Sequence, residues 1–247
     1  MEALKGARLK ADRGHEHFHT MSEGLMARLG GEGQEVTGKV TQRLSHYVFS
    51  TAFTEEVVND ISLGVSDAAM DLGAALDYVA HALLEEEALK AEGALPSFPV
   101  LLVRHPSALL PFVAPARAVL EQFQPYTTHP KDPRGSPLWA VRQIILEGQT
   151  HLVPVVVRGN AEADGPLPEA FKAIPDEIGT LAVPAPDRGV LPKEARIRVE
   201  PRLEIMEPGG PRGHPLTVLH EAYRMITDKM IPALERVVPG KGRGSRV

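Results

Sequence analysis

From Ile61 to Leu83 the apolar side chains fall at Ile61, Val65, Ala68, Leu72, Leu76, Val79 and Leu83, in steps of 4, 3, 4, 4, 3 and 4. An α-helix turns once every 3.6 residues, so these steps draw one unbroken stripe along a helix. A helix this long with so continuous an apolar stripe has to bury it, and the rest of the chain must supply the cover. Each residue rotates the helix by about 100°, which carries Asp77 and His81 well away from the stripe. Gly93 and Pro96 close the segment.

Other segments carry weaker patterns. Residues 2–29 predict a first helix, with Leu4, Phe18, Met21, Leu25 and Leu29 at rough helical spacing and Gly30, Gly31 and Gly33 ending it. KVTQRLSHYVFSTAF, residues 39–53, is rich in Val, Thr, Tyr and Phe, which suits a strand. FPVLLV, residues 98–103, suits a short strand or an extended connection, and 106–123 a helix with Pro106 in its first turn. Prolines at 125, 130, 133 and 137 mark a loop, and PLWAVRQIILEG, residues 137–148, a short buried helix.

HLVPVVV, residues 151–157, predicts a strand that Pro154 confines to an edge or a bulge. TLAV, residues 180–183, is a weak strand candidate. RIRVEPRLEI alternates Ile197, Val199, Leu203 and Ile205 with Arg198, Glu200, Arg202 and Glu204, a strand with one wet face. Residues 215–238 predict an amphipathic helix on Leu216, Leu219, Tyr223, Ile226, Met230, Leu234 and Val237, kinked near Pro232. Strands scattered among dominant helices, without regular alternation, favour α+β over a doubly wound fold. The expectation is a single α+β domain over residues 1–238. A helical core of three to four helices, centred on 60–90, packs on a small antiparallel sheet of residues 39–50, 151–157 and 196–206. The tail, residues 239–247, is expected to be basic and disordered.

Composition narrows the function classes. With 247 residues the chain can bury a sizeable core, and 43% hydrophobic with 24% charged residues is ordinary for a globular protein. The net charge of −5 argues against a surface devoted to nucleic-acid phosphates. There is no cysteine, so disulfides, thiolate metal sites and cysteine nucleophiles drop out. No apolar run approaches the roughly 20 residues that span a bilayer, and MEALKGARLKADRG has no apolar core of a signal peptide. These features lead to the expectation of a cytoplasmic protein without a membrane partner.

The order of several short motifs is similar to that of a family of uncharacterised bacterial cytosolic proteins. RGHEHF resembles that family's Arg-Ala-x-Glu-His-Leu pattern through Arg13, Glu16, His17 and Phe18. SDAAMDLGAALDY resembles its GDxLHNLRSALDH central helix through Asp67, Leu72, Ala75, Leu76 and Asp77. Phe98-Pro99, Gln124-Pro125-Tyr126 and Pro137-Leu138-Trp139 fall in the same order as their counterparts, and the resemblance spans about residues 10–155. The chain departs from the pattern where its chemistry would lie. Met70 and Gly73 stand where the family has the His and Arg of the central helix, and Tyr78 replaces the histidine after Asp77. The DKHR motif is reduced to EGQTH, residues 147–151. The resemblance implies no activity.

Three histidines alternate in DRGHEHFHT, residues 12–20. His15 and His19 are one helical turn apart, as a metal pair requires, while His17 points elsewhere. Asp77 and His81 form a second one-turn pair, in which a carboxylate can orient and polarise an imidazole for general-base work. Asp67 and Asp71 form a third. Against these stand a structural polar network between the first and central helices and a plain solvated face. Glu85, Glu86 and Glu87 suit a solvated helix end. GGEG, residues 30–33, lacks the Lys-Ser/Thr of a phosphate loop, GVSDA, residues 64–68, lacks the last glycine of a nucleophile elbow, and no Arg-x4–6-His ribonuclease pattern fits cleanly. The basic tail, with Lys241, Arg243 and Arg246, is a thin footprint for an anionic partner.

The expected function is a non-catalytic domain that binds a protein or small-molecule partner, with self-association left open, nucleic acid not expected and no cofactor. The alternative is a hydrolase or nuclease-like enzyme with Asp77, His81 and His17 gathered between the first and central helices. That alternative requires the three to share one cleft.

Overall fold

The protein is described from a computed structural model. It describes residues 2–29, 41–43, 46–50, 55–85, 88, 97–148, 155–163, 174–177, 180–184, 197–207, 210–211 and 214–238, with side chains for 4–24, 56–85, 88, 97–105, 107–148 and 214–238. The chain divides into two compact units. One comprises Met1–His19, Val65–His151 and Leu216–Val247, the other Thr20–Gly64 and Leu152–Pro215.

The first unit is helical. It contains most of α1 (Glu2–Leu29) and of α2 (Glu55–Leu83), then α3 (Ala114–Gln122), the single turn α4 (Pro125–Thr128) and α5 (Pro137–Gly148). A C-terminal rod completes it: α6 (Pro215–Arg224), a π-helical turn Met225–Met230 and α7 (Ile231–Val237). All seven residues of the α2 stripe are buried, from Ile61 at 3% exposure to Leu83 at 1%, and Ala69, Ala75 and Ala80 widen the buried face. Helices therefore cover α2 on more than one side.

α1 covers it with small residues. Leu4, Ala7 and Ala11 are buried, and a Cβ added at Gly14 would sit 3.0 Å from the Ala68 carbonyl oxygen and 3.3 Å from Leu72 Cγ. A Cβ at Gly6 would meet the Tyr78 ring at 2.9 Å. Gly6 faces residue 78 while Gly14 faces residues 68–72, so the two helices run antiparallel.

The end of α2 is tied to the start of α3. The Val113 N–H donates to the Leu83 carbonyl at 2.8 Å, the Glu85 N–H to the Pro111 carbonyl at 2.9 Å, and Arg117 bridges the Phe112 carbonyl and Glu85. Glu85, expected at a solvated helix end, is thus half of an ion pair at 2.7 Å. Residues 106–123 are a short 3-10 turn, Pro106–Leu109, followed by α3, and the proline-rich loop holds two further helical turns, α4 and Pro133–Gly135.

The C-terminal rod answers the expected kink at Pro232 with a change of helix type. Proline has no N–H for the Asp228 carbonyl, and its ring crowds that carbonyl. The preceding turn widens, and the Ile231 N–H reaches back five residues to the Ile226 carbonyl. Buried Ile226, Met230, Ile231 and Leu234 remain on one face throughout.

The expected fold class is corrected here. Among residues with described side chains, 81% are helical and none lies in a strand, so the part built around α2 is all-helical and not α+β with helices on an antiparallel sheet. In the second unit the described backbone pairs β1 (Thr41–Arg43), β2 (His46–Ser50), β5 (Thr180–Pro184) and β4 (Ile174–Glu177) in one ladder. It pairs β3 (Val155–Ala163), β6 (Ile197–Glu207) and β7 (Gly210–Pro211) in another. The segments 39–50, 151–157 and 196–206 thus do not join in one sheet. The physical reason is that α1 supplies the cover assigned to a sheet: Ala7, Ala11 and Gly14 carry little hydropathy, yet their small size lets a helix lie close on α2. The expected tail, 239–247, lies outside the described residues. Among the described residues no helix is long and apolar enough to cross a membrane.

Candidate functional site

α1 presents two polar faces to two different neighbours. On the face toward α2, Lys10, Arg13 and His17 follow one another at steps of three and four. All three converge on Asp71, whose side chain is only 13% exposed. Lys10 Nζ lies 3.1 Å from Asp71 Oδ1, and Arg13 Nε and His17 Nδ1 lie 3.5 and 3.7 Å from Oδ2. A largely buried carboxylate is stabilised by such basic partners.

On the face toward α6, Asp12 accepts the Tyr223 hydroxyl at 3.1 Å, and the His15 ring packs on the Tyr223 ring at 4.4 Å between centroids. His220 and His19 lie 5.9 and 6.3 Å from His15. Burial first, then the neighbouring His220 and His19, hold the His15 imidazole below its usual pKa, so it resists taking a proton. Burial and the Asp12 carboxylate push the Tyr223 hydroxyl up.

The expected sites can now be placed. His15 and His19 share a face and His17 turns to the other, as their spacing requires. His15 spends its ring on packing against α6, and among the described residues no three His, Cys, Asp or Glu side chains are grouped to hold a metal ion. His17 meets Asp71, not Asp77. Asp67 and His81 are exposed on α2. Asp77 accepts the Phe98 N–H at 2.9 Å, which pins the extended segment 97–101 beside α2. Fully buried Gln124 holds the same segment, accepting the Leu101 N–H at 2.9 Å and donating to the Leu120 carbonyl. The structure therefore does not gather Asp77, His81 and His17.

Asp77 does border a cleft of about 370 Å³. Its walls come from α2 (Met70, Gly73), the 97–100 segment (Ser97, Phe98, Val100) and α5 (Val141, Arg142, Ile145). Gly73 allows the close approach: a Cβ there would overlap the Ile145 Cδ1 methyl. Arg142 is half-buried and pairs with no other described residue. In the sequence Arg142 lies too far from His151 for an Arg-x4–6-His pattern, and a lone arginine on an apolar helix carries no other spacing signal. The Asp71 cluster had one, the 10-13-17 stripe of cations on α1.

Comparison with protein-family profiles, curated proteins and solved structures gives no match.

Proposed function

We propose that this chain is a non-catalytic binding domain whose helical unit takes a small ligand in the cleft between α2 and α5. Arg142 carries the reading: a half-buried arginine, unpaired among the described residues, lines a cleft with Phe98, Val100, Val141 and Ile145. Small-molecule sites combine apolar walls with a few oriented polar groups in this way. Its donors are free to meet an acceptor on a ligand.

Two of the groups that could do chemistry have other partners. Asp77 is committed to the Phe98 N–H and His17 to Asp71. Met70 and Gly73, which stand where the resembled pattern carries His and Arg, both line the cleft. A cytoplasmic setting belongs to the same proposal, supported by the absence of cysteine.

The test is a small-molecule screen read by NMR on full-length protein with labelled Met and Ile methyl groups. Ligands should shift the Met70 and Ile145 methyls. Turnover in a broad hydrolase and nuclease screen, abolished by Asp77→Ala, would instead establish an enzyme that uses Asp77.

A further inference from the structure

We propose that the seam between α1 and the C-terminal rod is an acid-sensitive clasp: protonation of the imidazoles gathered there lets α6 part from α1 while the rest of the helical unit stays folded.

His15 lies at the centre of the seam. Its ring centroid is 4.4 Å from that of Tyr223, 5.7 Å from Phe18, 5.9 Å from His220 and 6.3 Å from His19. Phe18 in turn stacks on His220 at 6.3 Å. Three imidazoles thus share one junction, two on α1 and one on α6. Imidazole is the side chain whose charge ordinarily changes between about pH 5 and 8. Neutral, the three pack as flat rings among Phe18 and Tyr223. Protonated, they set like charges side by side.

The charges around His15 decide which contact weakens. Those that act on it are His220, His19, Asp12 and Glu16. Both carboxylates belong to α1, which already carries two of the imidazoles, so they offset charge mainly within that helix. From α6 the ring meets His220 and the Tyr223 phenol, while Arg224 is paired with Asp228. α2 directs Asp71 to the opposite face of α1, where it meets His17. Across the seam, acid therefore opposes one cation with another. The Tyr223–Asp12 hydrogen bond, at 3.1 Å, is the polar tie that resists. Burial of His15 adds to the effect: an open seam hydrates the ring and lets it take a proton near its ordinary 6.5, which the closed seam discourages. Opening gains as pH falls below that value.

The remainder of the rod has separate anchors. Ile226, Met230, Ile231 and Leu234 are buried, and Glu235 of α7 lies 3.9 Å from Arg8. Residues 225–238 contain no histidine, and the π-helical turn Met225–Met230 stands between them and α6. The acid response is thereby confined to the α6 end.

The experiment is amide hydrogen exchange of the full chain at about pH 7.5 and about pH 5.5, corrected for the intrinsic rate and repeated in low urea. α6 amides should open roughly fivefold more often at the lower pH, by a route insensitive to urea, with a smaller change in 65–83 and in α7. His15→Phe keeps a ring on Tyr223 and removes the charge, and should make α6 opening nearly independent of pH. His220→Glu puts a carboxylate opposite a protonated His15 and should reverse the response. His214, just before α6, is also held below its usual pKa by burial, so the wild-type response must persist in His214→Gln. Wild-type protection of α2 at the higher pH certifies that a variant is folded. The proposal is overturned by α6 opening that ignores pH, by α6 and α2 amides gaining exchange in parallel, or by loss of the response in His214→Gln. A response of unchanged sign and size in both His15→Phe and His220→Glu overturns it equally.

Discussion

Asp71 and Asp77 lie six residues apart on one helix and do different work. Six steps of about 100° turn the second carboxylate to another side, so one meets α1 and the other meets the 97–101 segment. Asp71 faces Lys10, Arg13 and His17 with little water to screen it. Asp71→Ala leaves three basic groups facing one another and should cost about 1–2 kcal/mol, seen as a lower urea midpoint with an unchanged slope. Asp71→Asn, which keeps the shape and some acceptor capacity, should cost less. An unchanged midpoint in the Ala variant would show the cluster to be ornamental.

His15 gives stability a pH dependence of definite sign. Its folded pKa lies below the ordinary 6.5, from burial first and then from His220 and His19, with Asp12 and Glu16 opposing. Tyr223 also packs against the ring. The unfolded chain therefore takes up a proton near 6.5 while the folded chain does not, and the unfolded state gains as pH falls. His214, lowered by burial, acts in the same direction. The melting temperature should be steady above about pH 6.5 and decline from there down through the lower folded values. His15→Phe should flatten that decline, and a decline as steep as in wild type would shift the cause elsewhere.

At the scale of elements, α1 is read by what it lacks. Its contact with α2 depends on Gly14, where the nearest obstacle is a backbone carbonyl of α2 that cannot rotate aside. Gly14→Leu should force the helices apart and cost about 2–3 kcal/mol, although leucine is by far the better helix former. Gly24, on the same helix, has nothing within 4 Å of an added Cβ. Gly24→Ala should raise stability by about 0.5–1 kcal/mol through helix propensity alone. Opposite shifts from two glycines of one helix, measured by urea unfolding, would separate packing from propensity; equal shifts would deny Gly14 its contact. These same residues show why the sheet was expected. Leu4, Ala7, Ala11 and Gly14 keep steps of three and four, but a search for large apolar side chains passes over three of them, and α1 read as a helix with a weak face.

For the molecule as a whole, the α2 stripe was legible because large side chains at helical spacing have one outlet, burial. The fold class was not, because strand-like alternation in 196–205 says how a backbone pairs locally and nothing about what covers the central helix. The site was legible in part. The sequence placed His17 opposite the central helix and divided it from His15 and His19, yet the choice of Asp71 over Asp77 depends on how two helices are set against each other. Arg142 becomes visible only once α2 and α5 enclose a cleft. If α2 organises the helical unit, its amides must be the last to open. The interior of Val65–Leu83 combines buried Leu72, Val79 and Leu83 with cover from α1 and ties to residues 111–113. Native-state hydrogen exchange should find the most protected amides there, opening only with global unfolding, while the first turn of α1 exchanges through local fraying. A faster-exchanging α2 interior than that of the C-terminal rod would move the organising role to Ile226, Met230 and Leu234.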